Sequence, residues 1–430
     1  MKSVWIRSGA GRLTALSISI VMIVYFISTH GELQSLQRRL KENLQGLQAD
    51  MRAHVDYPPQ HDLSHSPVLT ASNCPLDPKP NLILSAVDGV KLEDQIFVFM
   101  QSLELALGRE SLENHRAGRC PPAPVDVKIA VPNRLAQNLA PSFKALEHRY
   151  PALHFIGILP YIENAPAVIT RFPGWSGYVE SVYTKYDKIL TCDLDVVFQR
   201  NPFNMPLNPD VELLYFAEWR GFKIGQCGIH MQWFDWCANA PGGPYITYEQ
   251  IETYKPLDRI CAGSVYGTAR AMHVYLTTMA TELAGTNHEC NDQAMHIHLY
   301  YSSILETNLR AKGFGGVTLV PNEDSLLGTV GTTPMVTYNE WGEILNERGE
   351  VQYAIHQFKQ HWRLSEMVWR RFGWMGAVGS TVPTVANLVE SDDGGDEVYK
   401  RFMLSGTSTE TCTEDASLCS CRDSDCQFHY

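Results

Sequence analysis

Between residues 81 and 192, short apolar runs alternate with segments of helical period, and no other feature of the chain restricts its fold as strongly. Residues 81–87 (NLILSAV), 125–131 (VDVKIAV) and 154–159 read as buried strands bounded by turn signals. Residues 94–108 and 135–150 read as helices, the first with Asp94 near its start and Gly108 at its end. Residues 177–186 put Val179, Val182 and Tyr186 on one helical face and lead into a further strand at Ile189 and Leu190. Strands alternating with helices predict a mainly parallel sheet covered on both faces, an α/β domain spanning residues 80–378.

That further strand opens the stretch KILTCDLDVVFQRNPF, residues 188–203. It ends in two carboxylates one residue apart, Asp193 and Asp195, before an apolar Val196-Val197-Phe198 run and an Asn201-Pro202 turn. Two ionised carboxylates beside a buried strand repel and lose hydration unless a cation compensates them. Carboxylate oxygens suit hard ions such as Mg2+ and Mn2+, which commonly bind substrate phosphates as well. In an open α/β sheet such a site lies beyond the carboxyl ends of the strands. The alternative is an ordinary solvated turn.

Three later segments carry further candidates. In CAGSVYGTARAM, residues 261–272, Ala262, Gly263 and Gly267 permit close backbone approach to a ligand or to a packed helix. In HECNDQAMHIH, residues 288–298, Asn291, Asp292 and Gln293 stand at a helix start, where they either cap the helix or face a substrate. His296 and His298 are two apart, not four, and predict no metal site. In YAIHQFKQHW, residues 353–362, His356 and His361 flank Lys359. An imidazole can complete an Mn2+ shell, and a lysine can neutralise a diphosphate. FPGWSG, residues 172–177, with Arg171 before it, and Trp219-Arg220 could shape pockets or simply fill core.

The Asp-x-Asp stretch in this βαβ context resembles that of GT-A-fold nucleotide-sugar glycosyltransferases. The Asp292-Gln293 pair and the late His356 with Lys359 are similar to features of glycogenin-like, retaining members, although the glycine and proline usual in the last segment are missing. The resemblance covers roughly residues 80–375. It implies a GT-A-like, Rossmann-type fold and transfer of a hexose or pentose from a nucleotide diphosphate, UDP in preference to GDP, to a glycan or glycoprotein. On that reading Asp193, Asp195 and His356 hold Mn2+ (or Mg2+), with His361 the second choice as imidazole ligand. Lys359 and Gly263 line the donor site, and Asp292 and Gln293 are catalytic. Retention is implied in preference to inversion, in which Asp292 would serve as base.

The remaining chain predicts where such an enzyme would work. Residues 13–29 form an uncharged run after Lys2, Arg7 and Arg12, which predicts a signal-anchor helix with residues 1–12 cytoplasmic. A cleaved signal peptide is the competing reading. Together with the resemblance, this implies a single-pass type II Golgi protein with its catalytic domain in the lumen. Residues 30–79 read as stem and linker; leucines 33, 36, 40, 44 and 47 form one stripe, either a solvated helix or a coiled coil joining two chains. Residues 379–430 read as an acidic, poorly ordered tail. A formal net charge of −12 argues against a general nucleic-acid binder. The 11 cysteines include no CxxC pair, which argues against zinc, and their connectivity is open. No Asn-x-Ser/Thr acceptor occurs. Two other classes compete with the transferase reading: a membrane-anchored glycan-binding protein of the same fold, and a metal-dependent phosphohydrolase, which would need a second ligand cluster.

Overall fold

On strand β1 (Asn81–Ala86), Leu82 and Leu84 pack on one face of a sheet and Ile83 on the other, all three fully buried. The near-continuous apolar run of a strand covered on both sides explains this pattern. The computed structural model describes Cys74 and residues 78–372, except 88–91, 161–166, 241–244, 335, 340–341, 362–363, 366 and 369–371. These residues belong to one compact unit, Leu69–Tyr430; a second unit, Met1–Val68, lies outside the described residues, as do the proposed anchor, stem and acidic tail. Among the described residues no helix is long and apolar enough to cross a membrane.

After β1 come α1 (Glu93–Arg116), β2 (Val125–Pro132), α2 (Asn133–Gln137), α3 (Pro141–Arg149), β3 (Leu153–Leu159), α4 (Ala167–Val182), β4 (Lys188–Cys192) and β5 (Val196–Phe198). Then follow β6 (Val211–Ala217), α5 (Gly228–Ala238), α6 (Tyr248–Tyr254), β7 (Ile260–Thr268), α7 (Ala269–Gly285), α8 (Asp292–Tyr301), α9 (Ile304–Ala311) and β8 (Gly316–Val320). The last strands are β9 (Leu327–Thr329), β10 (Thr337–Tyr338), β11 (Ile344–Leu345) and β12 (Ala354–His356). Seven strands form the central sheet in the order β3-β2-β1-β4-β7-β6-β8. Only β7 runs antiparallel to its neighbours. The expected mixed, mainly parallel sheet with helices on both faces is therefore present: α4, α7 and α8 contribute to one core, α1 and α3 to the other.

Three predicted helices differ from the observed ones. Gly108 does not stop α1, which runs on to Arg116 with an Arg109–Glu113 pair at 2.9 Å one turn apart. The single helix predicted over 135–150 is two, because Pro141 opens a new helix and disfavours helical backbone in the residue before it. Helix α4 begins ten residues before its predicted start and contains Pro173. Phe172, Trp175 and Val179 form its buried stripe, and burial of such side chains, about 1.5–3 kcal/mol each, outweighs the helix-breaking residue. Gly174 lets this helix touch β3: a Cβ there would lie 2.4 Å from the Ile158 carbonyl oxygen.

A smaller sheet, β5-β12-β9, stands beside the large one, with Val197 and Ile355 packed against Val98 and Leu105 of α1. Among the described residues two disulfides are formed, Cys74–Cys120 and Cys237–Cys290. The second ties the end of α5 to the residue before the α8 cap across 53 positions. In the loop-closure account a bridge of that span contributes about 4 kcal/mol.

His296 and His298 are buried on α8. Tyr275 Oη lies 3.0 Å from His296 Nδ1, and Tyr254 Oη lies 2.9 Å from His298 Nδ1. Burial pushes His296 down to about 3 and His298 down to about 4. The unfolded chain takes up these protons near pH 6.5, whereas the folded chain resists them until much lower pH. Their contribution is therefore intact above pH 6.5 and is lost as pH falls toward 4, at up to about 1.4 kcal/mol per pH unit for each group. Urea unfolding at pH 7 and pH 5 should show a lower midpoint at pH 5, and His298→Gln should flatten the difference. An equal or higher midpoint at pH 5 would contradict the assignment.

Candidate functional site

Asp193 and Asp195 lie where β4 ends and β5 begins, at the carboxyl edge of the parallel strands. The backbone N–H of Asp193 donates to the Gly263 carbonyl at 2.8 Å, so pairing with β7 fixes the first carboxylate. The second is fixed by β12, which runs antiparallel to β5 with His356 opposite Val196; Gln357 N–H also donates to the Asp195 carbonyl at 3.2 Å. His356 Nε2 consequently lies 3.1 Å from Asp195 Oδ1 and 3.5 Å from Asp193 Oδ2. Its Nδ1 faces Cys261 Sγ at 3.2 Å, which leaves Nε2 as the nitrogen turned to the carboxylates. One ligand atom from each of Asp193, Asp195 and His356 lies within 4.8 Å of the others. Among the described residues this is the one group of three or more His, Cys, Asp or Glu side chains so placed.

Arg171 extends the site. Its guanidinium is buried on α4, donating through Nη1 to Asp193 Oδ1 and through Nη2 to Asp292 Oδ2 at 2.8 Å. The rings of Phe172 and Trp175 lie 5.1 and 5.2 Å from its central carbon. Burial disfavours its charge, but Asp193 and Asp292 more than compensate and hold it protonated. Burial likewise opposes ionisation of Asp193, yet Arg171 and His356 hold that carboxyl below the usual range. At Asp292 burial prevails over Arg171 and pushes the carboxyl up. Burial disfavours the His356 proton, and Cys261 with the two aspartates raises its affinity well above the ordinary value.

The other expected site residues are distributed unevenly. Asn291 caps α8, its side chain accepting from Gln293 N–H at 2.8 Å, so Asp292 is the first helical residue with its carboxylate on Arg171. Gln293 binds backbone: its Oε1 accepts from Ala262 N–H at 2.8 Å and its Nε2 donates to the Ile260 carbonyl. Its amide therefore holds the entrance of β7. Gly263 sits under the cluster, and Gly267 instead lets β7 approach β6, where a Cβ would lie 2.4 Å from the Glu212 carbonyl oxygen. Lys359 donates to Gln95 Oε1; burial pulls its amine down, with Asp195 acting in the opposite direction. His361 lies elsewhere, with Nε2 2.6 Å from the Val330 carbonyl. Trp175 is core, and Arg220 pairs with Glu323 and Glu347.

From the sequence alone Arg171 is only a pocket-shaping candidate, and nothing links Cys261 to His356. An arginine preceding two aromatics on a buried helical stripe is the signal for the first. The second has none, because 95 positions separate the thiol from the imidazole it meets.

No family model matches this sequence, and no curated protein matches it. Among solved structures the fold is similar to the bifunctional glycosyltransferase WbbM in its apo form, with a TM-score of 0.35 and 14% identity over 66% of this chain and 46% of that one. The match thus spans less than half of WbbM. An active-site mutant of LgtC is similar with a TM-score of 0.33 and 12% identity, over 64% of this chain and 86% of that one. Both likenesses are distant, and the functional reading rests on the residues of this chain.

Proposed function

We propose that this protein is a metal-dependent glycosyltransferase of GT-A type, moving a hexose or pentose from a nucleotide diphosphate to a glycan or glycoprotein hydroxyl. The observation that carries this reading is the convergence of Asp193, Asp195 and His356 at the carboxyl edge of the sheet. The donor set of two carboxylates and one imidazole suits Mn2+ or Mg2+. The space is kept open by Gly263, where a Cβ would stand 2.3 Å from His356 Cε1 and 2.7 Å from Asp193 Oδ2. When bound, the cation would supply charge stabilisation to the departing diphosphate.

The chain's own residues account for the rest. Arg171 orients Asp193 toward the cluster and Asp292 beside it, fixing both carboxylates through one planar fork. Asp292 faces the anomeric carbon and stabilises the positive character that develops there, in keeping with retention. Gln293 positions the β7 backbone under the donor, and Lys359, released from Gln95, adds positive charge for the diphosphate. UDP is favoured over GDP as the donor nucleotide. The N-terminal sequence supports anchoring in the Golgi membrane by residues 13–29 with this domain lumenal, and pairing of two chains through the stem.

The test is isothermal titration of the purified protein with UDP and GDP, with and without Mn2+. Binding of one nucleotide that requires Mn2+ and is reversed by a chelator is expected. Failure of a folded sample to bind either nucleotide would overturn the reading.

A further inference from the structure

A second cluster, with different chemistry, lies at the start of α5. Cys227 Sγ is 3.1 Å from Nδ1 of His230, one turn further along the same helix. The imidazole is buried, and its Nε2 makes no hydrogen bond but faces Glu218 Oε1 at 3.7 Å. Glu218 is buried too and accepts from Arg259 Nη1 at 2.8 Å, and that same nitrogen lies 4.0 Å from the Cys227 sulfur. A thiol, an imidazole and a carboxylate thus stand in series, with a buried guanidinium closing the circuit. A weak nucleophile beside a base that a third group orients is the general form of an activated nucleophile.

Access and charge distinguish Cys227 from the other free cysteines among the described residues. Cys192 and Cys261 are buried, whereas Cys227 is half-buried between exposed Gln226 and Gly228. A Cβ placed on Gly228 would meet no atom within 4 Å, so the approach on that side is open. The charges facing the sulfur are His230 and Arg259. The nearby Lys223 is turned to Asp258, and Lys255 to Glu252. Burial pushes the thiol up, but His230 and then Arg259 more than reverse this and bring it down to about 7. Burial leaves Cys192 well above the ordinary thiol range.

We propose that Cys227 is a reactive thiolate, activated by His230 and Glu218, that exchanges with low-molecular-weight disulfides. The sulfur of Cys227 attacks one sulfur of R–S–S–R; the new S–S bond forms as the old one breaks. The electron pair leaves on the departing thiolate, which takes up the proton that His230 accepted from Cys227. Cys227 is oxidised to the mixed disulfide and one half of the reagent is reduced to the thiol, so atoms and electrons balance. This cluster is independent of the glycosyltransferase reading, because none of its four side chains belongs to the Asp193, Asp195 and His356 group.

The test uses the full chain, with iodoacetamide and oxidised glutathione as probes and peptide mass mapping as readout, from pH 5.5 to 9. The Cys227 alkylation rate should have its midpoint near pH 7 and level off above pH 8, where an ordinary thiol still rises toward about 8.5. At pH 6 the thiolate fraction should exceed that of an unstructured cysteine peptide by about thirtyfold, and lower intrinsic nucleophilicity reduces the rate advantage to about sixfold. The glutathione adduct should follow the same profile, and His230→Gln should move it upward by a pH unit or more. A Cys227 midpoint at pH 8 or above, or no glutathione adduct on Cys227, would overturn the proposal. Should His230→Gln fail to fold, the profile of the unmodified chain decides alone.

Discussion

Replacing Arg171 by alanine should lower the free energy of unfolding by about 3–5 kcal/mol, the usual cost of removing one partner from a buried ion pair. Arg171 satisfies two carboxylates from different elements, Asp193 after β4 and Asp292 at the start of α8. Without it Asp292 would be buried with no cation, and Asp193 would keep only His356. Arg171→Lys should restore part of the loss, because an ammonium carries the charge but not the planar fork that reaches both acids. Urea unfolding monitored by far-UV circular dichroism measures this, with Arg220→Ala as the surface control. Equal midpoints for Arg171→Ala and Arg220→Ala would sink the argument. The double variant Arg171→Ala with Asp292→Ala should be more stable than Arg171→Ala alone, because the orphaned carboxylate is gone.

His356→Ala and Asp195→Ala should each weaken Mn2+-dependent nucleotide binding by more than a hundredfold. Loss of a partner one shell removed from a metal commonly costs about 10–100-fold, and these side chains would touch the ion itself. The outcome separates from misfolding because the two positions differ in burial: Asp195 is part-exposed at the rim, and its replacement should leave unfolding nearly unchanged. Titration with Mn2+ and UDP, repeated without metal, reads the effect directly. Undiminished Mn2+-dependent binding by Asp195→Ala would remove it from the ligand set and leave Asp193 and His356 to be tested in turn.

Four strands of the large sheet, β1 to β4, were legible because they carry their own signal, whereas β6, β7 and β8 were not read as strands. NLILSAV is a nearly continuous apolar run and VDVKIAV alternates apolar with charged residues at Asp126 and Lys128, and both patterns are visible along the chain. Asp193 and Asp195 were legible for a related reason, since two adjacent charges after a buried strand need a compensating group wherever the chain goes. Helix ends were less so. Gly108 and Pro173 are strong local breakers, yet the buried stripe of α4 continues through Pro173, where packing overrides local preference, and α1 continues past Gly108 as a mostly part-exposed turn carrying the Arg109–Glu113 pair. The companions of the carboxylates were legible only as candidates, because what places Arg171 and His356 is contact between elements far apart in the sequence. Of the Cys227 cluster only the Cys227–His230 spacing of one helical turn shows in the sequence; Glu218, just after β6, and Arg259, just before β7, are brought in by the fold.

The pairing of β5 with β12 has a consequence for how the protein is made. Asp193 leaves the ribosome 163 positions before His356, a delay of roughly ten to thirty seconds at ordinary synthesis rates. All seven strands of the large sheet are complete in the chain by Val320, 36 positions before His356. A nascent chain can therefore close its main core while both carboxylates still lack their third companion. The cluster of Asp193, Asp195 and His356 is completed late, by the small sheet, so an interrupted chain ending before Ala354 would keep the seven strands of the large sheet and lack the imidazole beside the two carboxylates.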